Sequence, residues 1–288
     1  MENVANSGSN SDLVTADLAV SGSATSDSAV KDLAALVLAA GEGTRMLPFT
    51  AKVPKPLLTI NNEPLLQRAL DLAFTHSNHV AVNANYLAPQ IAAYVAELPV
   101  YVSVEDELLG TAGAVAKVRE DGWLGDRPVL IINADSWLGD LPDEFVTTWD
   151  GERPRLLVKE TGKESDFGTK RFIGASLLPA DLAAGVPNIP CGLYEVVWRD
   201  HLADLDLWEF AGDAFDCGTP EEFLEANLAA NDGQAVIHPT AQPGAEVKES
   251  VLLAGSSSPA GEPIIGQIRD GFGNVYQSRS KLARSHLS

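Results

Sequence analysis

The sequence predicts an α/β fold: a mainly parallel sheet with helices on both faces, followed by a short C-terminal β extension. Three observations carry this expectation. Between residues 33 and 134, buried-strand patterns alternate with segments of helical apolar spacing. Strands alternating with helices need crossover connections, which make neighbouring strands parallel and cover both sheet faces. Beyond residue 235, apolar residues recur at a short interval among glycines and prolines.

The elements follow in order. LAALVLAA (33–40) is a continuous apolar run, the pattern of a strand buried on both faces. EPLLQRALDLAFTH (63–76) places Leu65, Leu66, Ala69, Leu72 and Ala73 on one helical stripe. HVAVNA (79–84), PVYVSV (99–104) and PVLIINA (128–134) read as strands, and PQIAAYVAEL (89–98) and TAGAVAKVRE (111–120) as helices. A further helix is expected over EEFLEANLAAN, capped by Thr219 with Pro220 in its first turn, and a short one over GLYEVVW (192–198), which is assigned no site. Residues 1–32 are rich in Ser, Ala, Asn and Asp without an aromatic residue, the composition of a disordered tail. Residues 276–288 carry Arg279, Lys281 and Arg284 and no acid, a solvated basic tail.

Composition excludes several function classes. The 288 residues are 45% apolar, enough for a proper core, and carry a net charge of −20. A strongly acidic chain lacks the basic face of a nucleic-acid binder. Apolar runs fall short of a membrane span, and the N-terminus lacks the basic and apolar regions of a secretory leader, so a cytoplasmic protein is expected. Cys191 and Cys217 form no disulfide framework, which agrees with a reducing compartment. The five histidines lack metal-ligand spacing, so no zinc is expected, and the five tryptophans are expected in the core or in pocket walls.

In a parallel sheet, ligands sit beyond the carboxyl ends of the strands. Three groups of polar residues follow strand ends. In LAAGEGTRMLPFTAKVPKPLL (38–58), Gly41 and Gly43 allow a sharp turn and close approach of backbone N–H groups to an anion. Thr44, Arg45 and Lys55 follow, on a path stiffened by Pro48, Pro54 and Pro56, so the cations are held in place. The P-loop spacing is absent, and Met46 stands where a dinucleotide fingerprint needs its third glycine. The second group is Asn133-Ala134-Asp135 and the third Asp216-Cys217-Gly218-Thr219-Pro220. Either aspartate could cap the next element; together they could share a hard divalent cation such as Mg2+, and spacing leaves both readings open.

The first of these stretches resembles the signature of the sugar-1-phosphate nucleotidyltransferases, GxGTRxxPxTxxxPKP after the first strand, and every fixed position is present. Leu109-Gly110-Thr111-Ala112-Gly113-Ala114, Asn133-Ala134-Asp135 and Asp216-Cys217-Gly218-Thr219-Pro220 are similar to further segments of that family, over about residues 33–231. The resemblance implies a Rossmann-like domain that joins a nucleoside triphosphate to a sugar 1-phosphate with release of pyrophosphate. It implies a domain over 33–234, with a nucleotide-binding half at about 33–150 and a sugar-binding half at about 151–234. Ala39, Ala40, Gly41, Gly43 and Thr44 would then cradle base and phosphates, with Gly110, Thr111 and Gly113 near the base. Arg45 and Lys55 would be catalytic, stabilising the departing pyrophosphate and screening the two reacting phosphates. Asp135 and Asp216 would hold Mg2+.

The resemblance has departures. A Glu-Lys-Pro segment common at the sugar site is missing; LLVKETGKESDFGTKRFIGASLLPADL (156–182) takes its place, with a short charged loop expected at 160–174. This is similar to the compact N-acetylmuramate-1-phosphate uridylyltransferases, whereas Gly110-Thr111-Ala112-Gly113 is similar to mannose-1-phosphate guanylyltransferases. Asp166, Phe167, Gly168 and Gly174 are the expected sugar-pocket residues, with Lys163, Lys170 and Arg171 as nearby cations. Ala241, Val247, Leu253, Pro259 and Ile265 recur six apart, which suggests one or two left-handed β-helix-like turns over 235–275, packed on the catalytic domain and offering contacts for a homo-oligomer. Two other readings stand beside the enzyme: a non-catalytic sugar-nucleotide-binding regulatory subunit, and a cytidylyltransferase acting on phosphocholine or another alcohol phosphate.

Overall fold

A computed structural model describes residues 32–280. The expected N-terminal tail lies outside the described residues except for Asp32, as do Lys281 and Arg284 of the basic tail.

The first half of the chain builds the predicted alternation: β1 (Ala34–Leu38), the short pair β2 (Thr59–Ile60) and β3 (Glu63–Pro64), α1 (Leu65–His76), β4 (Val80–Ala84), α2 (Ala88–Tyr94), β5 (Val100–Val104), α3 (Gly110–Glu120) and β6 (Val129–Asn133). Helix α2 stops short of the expected residue 98. Pro99 excludes the residue before it from helical backbone, and the last turn unwinds. There follow β7 (Ser136–Leu138), α4 (Asp143–Thr147), β8 (Arg155–Ser165), β9 (Gly168–Leu178), α5 (Ala180–Gly185), α6 (Leu193–Val196), β10 (Asp206–Glu209), β11 (Ala214–Asp216) and α7 (Pro220–Ala229).

Seven strands form one sheet in the order β10-β8-β9-β6-β1-β4-β5. β1 pairs in parallel with β4 and β6, β4 with β5, and β8 with β10; only β9 runs antiparallel to its neighbours. The apolar run of β1 now has its reason. Ala35 and Val37 face a core against α1 and α2, while Ala34 and Leu36 face a second core against α3, α5 and α6.

Two expectations change here. Residues 160–174 are not a loop but the outer part of a hairpin of two 11-residue strands, β8 and β9. Its first residues are buried and its tip is solvated on both faces, so Lys, Glu, Thr and Asp replace the apolar alternation that marks a strand. The C-terminal extension comprises β12 (Val236–Ile237), β13 (Val247–Lys248), β14 (Val251–Leu252), β15 (Ile264–Ile265), β16 (Gln267–Arg269) and β17 (Val275–Gln277). β12, β14 and β16 stack in parallel, as do β13 and β15, with partners 15 to 17 residues apart. This is a coil whose repeat is one full turn. The expected six-residue register fails to mark its interior: Pro259 and Ile265 are exposed, while Val251, Ile264 and Ile268 are buried. The extension also runs past residue 275, because β17 pairs antiparallel with β16. Its apolar side packs on α7 and on the 46–65 segment, joining Val251 and Ile268 to Phe223, Leu224, Met46 and Phe49.

Candidate functional site

The chain leaves β1 into the glycine loop. Gly43 has φ +62°, and a Cβ there would stand 2.9 Å from Cβ of Lys55, so this glycine is needed both for its backbone angle and for close approach. The Thr50 hydroxyl donates to the Gly43 carbonyl at 2.9 Å and closes the turn. Three single-turn 3₁₀ segments (Thr44–Met46, Phe49–Ala51 and Lys55–Leu57) carry the path back, anchored by buried Met46 and Phe49. Lys55 is 4% exposed, and its Nζ lies 3.0 Å from Asp135 Oδ2. A buried ammonium needs such a partner. Arg45 is exposed and stretches over Gly218, where an added Cβ would stand 2.8 Å from its guanidinium Nη2 and 2.9 Å from Asp216 Oδ1.

The two aspartates, 81 residues apart in sequence, are brought together by a short ladder. β7 and β11 pair antiparallel with Ser136 opposite Asp216 and Trp137 opposite Phe215, so Asp135 and Asp216 stand at the same end of it. Asp216 Oδ2 is 3.3 Å from Arg171. Between Asp216 and α7, Cys217 is buried, which pushes its thiol up to about 12 and makes it inert at neutral pH. Thr219 caps α7 as expected: its hydroxyl accepts from the Glu222 N–H at 3.3 Å and donates to the Glu222 carboxylate at 2.8 Å. Among the described residues, no three His, Cys, Asp or Glu side chains cluster as a metal site. Two carboxylates suffice for a hard cation that takes its other ligands from phosphate oxygens and water, the habit of Mg2+.

Two clefts meet here. The loop cleft, about 320 Å³, is lined by Ala39, Ala40, Gly41, Gly43, Thr44, Arg45, Lys55, Gly110, Thr111 and Asp135 among others. The hairpin cleft, about 530 Å³, shares Arg45, Asn133 and Asp135 with it and adds Lys159, Asp166, Arg171, Gly174 and Asp216. Three expected site residues fall elsewhere. Gly113 points away from the loop cleft, since a Cβ there would meet the Ile189 carbonyl at 2.5 Å; the glycine lets the 187–193 segment lie against α3. Phe167 packs beside Tyr194 and Trp198, with ring centroids 6.5 and 6.3 Å apart, and Gly168 (φ +68°) makes the hairpin turn. Gly110 has a double role: it lines the cleft, and a Cβ on it would meet the Cys191 carbonyl at 2.5 Å. Of the nearby cations, Lys170 pairs with Glu209 and Lys163 is exposed near the hairpin tip.

Sequence reasoning assigned no role to Asn83 or Glu105. The Ala39 N–H donates to Asn83 Oδ1 at 2.7 Å; Asn83 Nδ2 donates to Glu105 Oε1 at 2.7 Å; and the Leu109 N–H donates to Glu105 Oε2 at 3.0 Å. This buried chain ties the glycine loop to the segment opening α3. Its signal was present as two polar residues, one ending an apolar strand and one just past the next, each needing a partner if buried. The tryptophans behave as expected: Trp149 and Trp198 are buried, and Trp123 stacks on His79 and Tyr101 at 4.5 and 5.1 Å.

The fold and clefts define an α/β protein with a cationic glycine loop at the carboxyl edge of its sheet. Residues 34–172 match the family model described as Nucleotidyl transferase, a match over somewhat less than half of the chain. It is 30% identical over 143 residues to the mannose-1-phosphate guanylyltransferase catalytic subunit beta of Xenopus tropicalis, a match that covers 46% of this chain and 40% of that protein. It is 32% identical over 101 residues to a UTP–glucose-1-phosphate uridylyltransferase of Synechocystis, covering 30% of this chain and 26% of that one. The chain thus spans less than half the length of these relatives. In fold it is similar to the CTP:phosphocholine cytidylyltransferase of Streptococcus pneumoniae, with a TM-score of 0.55 at 19% identity, over 69% of this chain and 99% of that one. Among the described residues, no helix is long and apolar enough to cross a membrane.

Proposed function

We propose that this protein joins a nucleoside triphosphate to a sugar 1-phosphate, giving a nucleotide sugar and pyrophosphate, in the presence of Mg2+. The observation that carries the reading is the convergence of Arg45, Lys55, Asp135 and Asp216, from three separate segments, at the junction of the two clefts. Attack of one phosphate on another is opposed chiefly by charge, so the chemistry asks for positioning and electrostatics rather than a covalent nucleophile. The inert thiol of Cys217 agrees with that.

On this reading the loop from Ala39 to Thr44 receives the triphosphate. Arg45 has no ion-pair partner among the described residues, so it is available to the β- and γ-phosphates and to the departing pyrophosphate. Lys55, buried and held by Asp135, sits between the reacting phosphates, where a compact charge lowers their repulsion. Asp135 and Asp216 would hold Mg2+, which neutralises phosphate charge and polarises the α-phosphorus. The hairpin cleft takes the sugar 1-phosphate, with Arg171 available to its phosphate. Mannose 1-phosphate with GTP, and N-acetylmuramate or another hexose 1-phosphate with UTP, are the pairs the sequence points to.

The test is pyrophosphate release with Mg2+ over the four nucleoside triphosphates and a panel of sugar 1-phosphates. Turnover confined to one pair fixes base and sugar together. Nucleotide binding with no turnover on any sugar would sink the reading and favour a regulatory subunit.

A further inference from the structure

The backbone around Asp216 is held on two sides. Upstream, Asp216 stands opposite Ser136 in the ladder of β11 and β7. Downstream, the chain runs through buried Cys217, Gly218 and Thr219 directly into the first turn of α7. Little slack lies between, because Gly218 has no room for a Cβ beneath the Arg45 guanidinium and Thr219 closes the turn on Glu222. Glu222 lines the hairpin cleft together with Asp216. The first turn of α7 therefore governs where the aspartate and the backbone under Arg45 come to rest.

The other acid of that turn, Glu221, faces the C-terminal coil. Its carboxylate accepts from Tyr276 Oη at 2.7 Å, Ser278 Oγ at 2.7 Å and Ser280 Oγ at 2.6 Å. An acid in a first helical turn is already served by the positive helix end and by water, so capping does not call for three hydroxyls. The segment that supplies them is itself fixed. Tyr276 stands opposite Ile268 in the ladder of β17 and β16, the Ser278 N–H donates to the Gly266 carbonyl at 2.9 Å, and Ser278 is fully buried. The apolar contacts of Phe223 and Leu224 with the coil are non-directional and set a distance. Hydrogen bonds to a carboxylate are short and directional, and they set an angle.

Resting on the Mg2+ role of Asp216 in the proposed reaction, we infer that Glu221, Tyr276 and Ser278 are positioning residues for this metal ligand. The closing strand of the coil clasps the first turn of α7 and so sets the angle at which the Asp216 carboxylate is offered. None of the three touches a reacting group; they act through the turn.

Mn2+ binding to the full chain, read from the electron paramagnetic resonance of the free ion, probes the site without turnover. The part of that binding which Asp216→Asn removes belongs to this site. Loss of an outer partner of a metal ligand weakens metal binding by about 10- to 100-fold, and the lower end is expected for Glu221→Ala and for the double variant Tyr276→Phe/Ser278→Ala. Glu221→Gln keeps an acceptor oxygen for the hydroxyls and should restore most of the affinity. Ile268→Val loosens the coil core but spares the clasp, so it should lower the urea midpoint and leave Mn2+ affinity in place; a merely structural role would move the two together. Unchanged affinity in both Glu221→Ala and the double variant, or an equal loss in Ile268→Val, overturns the clasp, while pyrophosphate release by the parent chain keeps the reaction. The absence of any Asp216-dependent Mn2+ binding overturns the clasp and the metal role together. Weakening in the expected variants, with no pyrophosphate release from any pair of substrates, keeps the clasp and removes the reaction.

Discussion

The two clefts that meet at Asn133 are built by opposite means. The loop cleft is made largely of backbone: glycines that permit its turns, and a buried chain through Asn83 and Glu105 that fixes Ala39 against Leu109. The hairpin cleft is made of long side chains on two strands whose outer halves are solvated. The lesson is one of tolerance. A site made by backbone admits few residue types at its key positions, whereas a cleft made by exposed side chains can be relined without disturbing the fold.

Four experiments can break or sharpen this contrast. The largest effect is expected at the junction. Arg45→Ala or Lys55→Ala should lower turnover by on the order of 10² or more while the circular dichroism spectrum is kept, because each removes a cation from the reacting phosphates. Near-normal turnover in both would break the assignment. Next comes the buried chain: Glu105→Leu orphans the Asn83 amide and the Leu109 N–H, and should cost about 1–3 kcal/mol for each group left unpaired. The urea midpoint reads that loss, and the Michaelis constant for nucleotide should rise with it.

A smaller effect is expected on the hairpin side. Arg171 and Asp216 form a half-exposed pair, and such pairs contribute about 0–1 kcal/mol. Arg171→Ala should therefore leave stability within that range and raise the Michaelis constant for the sugar phosphate alone. A loss of stability as large as that of Glu105→Leu would erase the distinction between the clefts.

The smallest effect is confined to acid. Glu221, in the first turn of α7, accepts from Tyr276 at 2.7 Å, Ser278 at 2.7 Å and Ser280 at 2.6 Å. Burial would raise its carboxyl, but the three hydroxyl donors outweigh burial and hold it below the ordinary 4.5. Burial, followed by the Glu221 carboxylate, pushes Tyr276 up to about 12. A depressed carboxyl stabilises the fold above its ordinary value, and that contribution is lost as pH falls through the folded one. Thermal melts from pH 6 down to pH 3 should show Glu221→Gln losing less on acidification than the parent. Parallel acid limbs would remove Glu221 as the group responsible.

The same contrast explains what could be read from sequence. The parallel core was legible because β1, β4 and β6 are buried on both faces and so read as largely apolar runs. The loop cleft was legible because Gly43 is required where it stands. Gly113 misled for the same reason. The glycine is required, but by the Ile189 carbonyl rather than by a ligand, and a sequence does not say what approaches a missing Cβ. The hairpin was hidden by its solvated tip.

The shared core beneath α7 has a kinetic consequence. Met46 and Phe49, on either side of the cis Leu47–Pro48 bond, pack in one cluster with Val236, Val251 and Ile268. Segments that share a buried cluster open together, so the amides of 44–58 and of the C-terminal coil should exchange with solvent hydrogen as a single cooperative unit. The loop that carries Arg45 and Lys55 then cannot loosen by itself. A second tie to the C-terminal coil runs beside that cluster, where Lys52 rests on the Phe272 ring at 4.8 Å.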